Sequence, residues 1–298
     1  MGMWSLGKCL TAAVAATVCC MKWSQYERNH FVVEETTLTS PKIKKARTLV
    51  FLSDIHDKEF GAGGSELLAS IRSVKPDAVL IGGDTMVAKE GKADLDVTRR
   101  LIRGLSHMPK RDGTGKCPIY YGNGNHEQRL DSEREIYGML YDEFVQILKK
   151  EGVHYLSDSS AMLDDDICIS GLNIDTCYYR DVIPVRMKPV YLYAHLGHPD
   201  PEKYQILLAH SPLFHGTYGL WGADLALCGH FHGGTIRLPF LGGVMTPQFQ
   251  FFLPCCAGTF EKRGRYMIVS RGLGTHSINI RLRNRPQMVV VHLEPEKS

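Results

Sequence analysis

Charge of one sign is scarce in this chain of 298 residues: 35 Lys and Arg against 32 Asp and Glu leave a formal net charge of +3. That excess is too small to mark a nucleic-acid binder, and no nucleic acid is expected as a partner. The surplus sits late, since residues 261–298 carry eight Lys or Arg against three Glu, the pattern of a solvated basic face. CxxC pairs are missing as well. The nine cysteines, an odd number at irregular spacing, exclude a disulfide framework and a zinc–thiolate cluster and read as reduced, mostly buried small apolar residues. Internal repeats and low-complexity runs are absent. With 44% hydrophobic and 22% charged residues, the composition excludes a disordered polymer, a collagen-like fibre and a multi-span membrane protein, and fits one large globular domain.

The N-terminus has little charge of either sign, because Lys8 is the one ionisable side chain of its kind before Met21. The uncharged stretch 9–21 is shorter than the ~20 residues that span a bilayer, but counting back to Met1 reaches that length if Lys8 snorkels. Ala13-Val14-Ala15 resembles a signal-peptidase site. Leu6 disfavours N-myristoylation, which wants Ser or Thr there. A membrane anchor, a cleaved export signal and a packed extension all stay open, and membrane association through residues 1–21 is the leading expectation. Residues 22–45 are polar and carry Pro41, so the chain divides into an N-terminal segment with its leader, 1–45, and a domain, 46–298.

Apolar runs of four to six residues alternate with segments of helical period from Thr48 onward, which predicts stacked β–α units. Strands are expected at 48–52, 78–81 and 118–121, with helices from Ser65, at 95–105 and at 136–150. The second half turns to strands, at 161–163, 167–170, 206–209, 225–228, 266–270, 278–282 and 288–293. A mixed α/β sandwich of two sheets with helices outside follows.

Five of these strands run into short loops rich in Asp, Asn, His and Gly: Asp54-Ile55-His56, Gly83-Asp84, Gly124-Asn125-His126-Glu127, His210, and Gly229-His230-Phe231-His232-Gly233-Gly234. Ligands bind at the carboxyl ends of such strands, so the five loops can converge. Each piece alone is an ordinary turn or a core histidine. Together they offer hard or borderline N and O donors without thiolate, which suits divalent Mn, Fe or Zn. Seven donors complete two adjacent ions if one carboxylate bridges, and Asp84, in the middle of the series, is the natural bridge.

This ordered series resembles the motif set of the calcineurin-like metallophosphoesterases, over roughly residues 49–294. The resemblance implies a four-layer sandwich of two mixed β-sheets flanked by helices. It assigns Asp54, His56, Asp84 and His232 to one metal, and Asp84, Asn125, His210 and His230 to the other, with His126 as the non-ligand histidine beside the phosphoryl group. It also implies two-metal hydrolysis by a hydroxide held between the ions. Gly-His-x-His-Gly-Gly followed by Ile236-Arg237-Leu238-Pro239, with 269–274 downstream, looks like the YaeI/YkuE-type phosphodiesterases, some of which hydrolyse the pyrophosphate of UDP-2,3-diacylglucosamine. The missing arginine before Gly124-Asn125-His126 disfavours the protein Ser/Thr phosphatases. Phe231 departs from the usual Thr, and the Cys255-Cys256 pair is atypical.

Glu127 is expected either to orient a ligand or to lie on the surface. Phe240, Phe249, Phe251 and Phe252 are core residues or an apolar wall for an acyl-bearing substrate, and His195 and His198 line the substrate side or are surface residues. The substrate expected is a small-molecule or lipid-linked phosphoester. A non-catalytic scaffold would have lost motif residues that are all present here, and a nuclease would want a basic stripe.

Overall fold

The structure is a computed structural model that describes residues 3–180, 185–246, 250–275 and 279–296. Its elements in chain order are α1 (Met3–Asn29), β1 (Val32–Ser40), β2 (Arg47–Leu52), α2 (Ser65–Val74), β3 (Ala78–Ile81), α3 (Asp96–Ser106) and β4 (Ile119–Gly122). Then come α4 (Asn125–Ser132), α5 (Arg134–Tyr137), α6 (Leu140–Lys150), β5 (His154–Leu156), β6 (Ser159–Asp164), β7 (Ile167–Gly171), α7 (Cys177–Arg180) and α8 (Pro189–Leu196). The chain ends through β8 (Tyr204–Leu208), α9 (His215–Trp221), β9 (Leu225–Cys228), the short β10 (Arg237–Leu238) and β11 (Gly242–Gly243), β12 (Gly258–Lys262), β13 (Arg265–Val269) and β14 (Gln287–Pro295).

Strands with apolar residues on both faces are buried on both faces, and this dictates the layering. Leu49, Phe51, Ala78 and Leu80 turn inward with Ile206, Leu208, Leu225 and Leu227 of the opposite sheet. Their sequence neighbours Val50, Leu52, Val79 and Ile81 turn outward under α2, α3 and α6. On the other side Leu207, Ala226 and Met267 meet Leu192, Tyr218 and Trp221 of α8 and α9. Helix α3 shows why its segment is a helix: Leu101, Ile102 and Leu105, at the spacing of one helical face, are its buried apolar residues. Each such side chain contributes roughly 1.5–3 kcal/mol on burial.

Two six-stranded mixed sheets result, ordered β1-β14-β2-β3-β4-β5 and β12-β13-β9-β8-β7-β6. The central strands β2, β3 and β4 run parallel, as do β7, β8, β9 and β13, so their carboxyl ends open on one edge. The expected four-layer α/β sandwich is the observed architecture.

Local differences have physical reasons. The polar stretch 22–45 is not only a leader: α1 continues to Asn29, and β1 pairs in parallel with β14 as the edge of the first sheet. The expected helix 136–150 is broken at Gly138, whose φ of 58° ends α5 before α6 begins. The expected strand 278–282 is irregular where described, with one isolated bridge from Leu282 to Ile236, and Ile278 lies outside the described residues. No helix among the described residues is long and apolar enough to cross a membrane.

Candidate metal centre

The parallel ladder of β2 and β3 continues past the sheet into the loops that follow. Asp54 N–H donates to Gly83 O at 3.1 Å, and His56 N–H to Asp84 O at 3.1 Å. Each loop then reverses at once, and the donor residues themselves take the left-handed conformation: φ is 50° at Asp54, 45° at His56, 55° at Asp84, 69° at His230 and 50° at His232. Such φ values cost of order 1 kcal/mol apiece and persist only where surrounding bonds dictate them. Two glycines are obligatory for the close approach. A Cβ on Gly83 would lie 2.1 Å from Gly124 N, and one on Gly229 would lie 2.0 Å from Ser53 Oγ.

The loops bring the expected Asp and His donors together. Three groups place their ligand atoms within 4.8 Å of one another: Asp54, His56 and His232; Asp84, His210 and His230; and His56, Asp84 and His126. Asp84 Oδ2 lies 3.0 Å from His210 Nε2, 3.8 Å from His56 Nε2 and 4.0 Å from His126 Nε2. Asp54 Oδ1 lies 3.6 Å from His232 Nε2 and 3.7 Å from His210 Nε2. Asn125 opens α4, and its Oδ1 is buried with no hydrogen-bond partner among the described residues. A buried carboxamide oxygen of that kind fits a cation.

Backbone partners fix the imidazole tautomers. His210 Nδ1 is 2.7 Å from Gly82 O and His232 Nδ1 is 3.2 Å from Gly274 O. A carbonyl only accepts, so each ring carries a proton on Nδ1 and leaves Nε2 as the nitrogen that faces the centre, free to ligate once any proton there is displaced. His126 is the reverse. Its Nδ1 accepts from Ala88 N–H at 2.8 Å, so the proton sits on Nε2, and that nitrogen faces the centre as a donor. This separates His126 from the histidines it lies among, although its ring is 4.9 Å from that of His56.

Charges packed this closely perturb one another. Burial holds the Asp84 carboxyl up at about 6, with Glu127 and Asp54 adding to the rise and His210 opposing it. Burial opposes the charge on His210, yet the Asp84 and Asp54 carboxylates outweigh it and raise the imidazole to about 10. Asp54 is held by Ser53 Oγ at 2.6 Å and by His230 N–H at 2.9 Å. These carboxylates, imidazoles and the carboxamide can hold divalent metal.

Glu127 is fully buried and positions the centre. Its Oε2 accepts from Asp84 N–H and Gly124 N–H, while Oε1 accepts from Thr85 N–H and the Tyr121 hydroxyl. Sequence reasoning left that role open and missed Tyr179 on α7, whose ring stands 5.0 Å from His230 and 6.3 Å from His210. No motif flags it; burial keeps its phenol far above the usual range. Of the two histidines left open between the substrate side and the surface, His195 pairs with Asp158 at 2.9 Å and His198 packs on the Tyr193 ring. Phe231 is buried beside His230, so its departure from Thr is a matter of packing. Phe240, Phe251 and Phe252 are exposed rather than core, and Phe249 lies outside the described residues.

The family profile of the calcineurin-like phosphoesterases matches residues 47–234. The chain is 28% identical to YpbG of Bacillus subtilis (strain 168) over 95% of both chains. It is 24% identical to the phosphodiesterase YaeI of Escherichia coli (strain K12), over 82% of this chain and 81% of that one. It is also 32% identical to the metallophosphoesterase YkuE of Bacillus subtilis (strain 168), over 33% of this chain and 37% of that one. The matched span starts at the first residue of β2 and stops two residues past His232, enclosing every strand end that feeds the metal centre, and on that ground the chain belongs to the calcineurin-like metallophosphoesterases as a metal-dependent phosphoesterase.

Proposed function

We propose that the protein hydrolyses phosphodiester or pyrophosphate bonds with two divalent ions, of Mn, Fe or Zn. Asp54, His56, Asp84 and His232 would hold one, and Asp84, Asn125, His210 and His230 the other. The observation that carries this reading is the place of Asp84 Oδ2, between His56 Nε2 at 3.8 Å and His210 Nε2 at 3.0 Å. When bound, such a pair supplies an acidified water as nucleophile and neutralises phosphoryl charge. The chain's own residues do the rest. Glu127 fixes the backbone of the Asp84 loop, the Ser53 hydroxyl fixes the Asp54 carboxylate, Gly82 and Gly274 carbonyls orient the rings, and His126 holds a proton on Nε2 for the departing oxygen.

The test is metal analysis of the purified protein joined to a screen of monoesters, diesters, nucleotide-sugar lipids and phospholipids. Asp84→Asn or His210→Ala should abolish hydrolysis of bis(p-nitrophenyl) phosphate by the Mn-loaded protein. Full activity in either variant overturns the site assignment, and a strong monoester preference overturns the diesterase reading.

A lipid-linked substrate at a membrane surface is the finer reading, and one feature favours it. The β10–β11 hairpin begins four residues after Gly233 and carries Phe240, 108% exposed, and Leu241, 63% exposed, at its tip, with Phe251 and Phe252 also exposed. Aromatic residues at the tip of a hairpin whose base packs on Gly233 and Gly234 suit an acyl chain or a bilayer. The exposed Val14, Val18 and Met21 of α1 agree with membrane association through the N-terminal segment.

A further inference from the structure

The last turns of α1 belong to the wall of the metal centre. Ser24 and Glu27 are buried there, although they stand 257 residues from their partners: Ser24 Oγ accepts from Arg281 N–H at 3.0 Å and Glu27 Oε2 from Asn284 N–H at 3.0 Å. Both partners reach the centre in one more step. Asn284 Nδ2 donates to His232 O at 2.7 Å, and Arg281 Nη2 donates to Gly274 O at 2.7 Å, the same carbonyl that orients His232.

Docked in this way, α1 delivers Arg28 to a cavity of about 190 Å³ that shares His56 with the metal centre and is otherwise lined by Lys58, Asp57, Thr275 and Asn279 among others. Arg28 Nε is buried with no hydrogen-bond partner among the described residues. Lys58 lies across from it, with its Nζ near Asn29 Oδ1 and over the Phe60 ring. The fully buried Arg281 adds a third cation, which has the Asp54 and Glu27 carboxylates near it, and Asp57 lines the cavity with its Oδ2 accepting from Val87 N–H at 3.0 Å. Like charges gathered in a small cavity beside a phosphoryl site call for an anion to pair with them.

We propose that this cavity is an anion subsite in which Arg28 of the N-terminal helix and Lys58 hold a second anionic group of the substrate, next to the phosphoryl group at the metals. The inference rests on the phosphoesterase reading above and adds to it: a phosphoester with a neighbouring phosphoryl or carboxyl group is favoured over one without, and α1 is a component of the binding site.

Calorimetric titration of the Mn-loaded full chain with α,β-methylene-ADP and with AMP tests this, because the two ligands differ by one anionic group and the first resists cleavage at its bridge. The wild type should bind α,β-methylene-ADP about tenfold tighter than AMP, the scale of one charge-assisted hydrogen bond. That ratio should fall towards one in Arg28→Ala and in Lys58→Ala, and recover in part in Arg28→Lys. A general structural defect would weaken both ligands and leave the ratio in place. A wild-type ratio near one, no binding of either ligand, or a ratio that survives both alanine variants overturns the subsite. Asp84→Asn separates the two ideas: if both ligands still bind it with the ratio intact, the metal-centre reading fails while the subsite stands.

Discussion

Glu127 Oε2 lies 2.8 Å from the backbone nitrogen of Asp84, so a buried carboxylate on α4 holds the loop that presents the central donor. Its other oxygen lies 3.0 Å from Thr85 N and 2.6 Å from the Tyr121 hydroxyl. Glu127→Gln keeps the shape but turns an amide group towards one of these donors. One buried N–H then loses its acceptor, at a cost of roughly 2 kcal/mol. Denaturation of the metal-free variant should show that loss, and metal titration about tenfold weaker binding as the Asp84 loop loosens. Wild-type values in both measurements would contradict the positioning role.

His126 differs from its neighbours by the Ala88 N–H that fills its Nδ1. His126→Ala should keep its metal while turnover falls by about 10²- to 10⁴-fold, the usual range for a proton donor. The fall should be steeper for an alkyl leaving group than for p-nitrophenolate, which departs without a proton. Metal analysis beside rates on the two esters decides the matter, and metal loss in step with activity would make His126 a ligand.

Much of this centre was legible in the sequence, because strands buried on both faces read as unbroken apolar runs: 78–81 and 225–228 match β3 and β9 residue for residue. The donors follow those runs directly, so Asp84 and His230 could be placed at strand ends without any tertiary information. Val32–Ser40 was illegible for the opposite reason. It is an edge strand whose polar residues run together in Glu34-Glu35-Thr36-Thr37 without a two-residue period, and what makes it a strand is pairing with β14, some 255 residues away. Glu127 and Arg28 share that difficulty. Nothing local distinguishes a buried Glu at the third position of a helix from a solvated one, and the reach of α1 to Arg281 exists only once the fold has closed.

The raised pKa values set a direction for the pH dependence of metal loading. Asp84, up at about 6, keeps its proton to higher pH than an ordinary carboxyl, and His210, at about 10, keeps its own across neutrality. A metal requires both groups deprotonated, so protons compete with it and loading strengthens as pH rises. At pH 7.5 uptake should release the His210 proton, and below about 6 the Asp84 proton as well, steepening the dependence. Calorimetry in two buffers of different ionisation enthalpy counts the protons. Uptake without proton release at pH 7.5 would contradict the His210–Asp84 ion pair.

The exposed hairpin tip makes its own prediction. Phe240 and Leu241 stand clear of the fold, so exchanging both for Ser removes apolar surface without opening a cavity, and thermal stability should move little, as for surface changes in general. Transfer of two such side chains from bilayer to water costs roughly 3–5 kcal/mol if both are fully inserted, so the double variant should show a fall in vesicle binding of at least a hundredfold in a cosedimentation assay. Hydrolysis of a lipid-linked diester presented in those vesicles should fall further than hydrolysis of bis(p-nitrophenyl) phosphate in solution. Equal losses on the two substrates would place the hairpin in the catalytic fold rather than at a lipid surface, and undiminished vesicle binding would shift membrane association to α1, where Val14, Val18 and Met21 remain exposed.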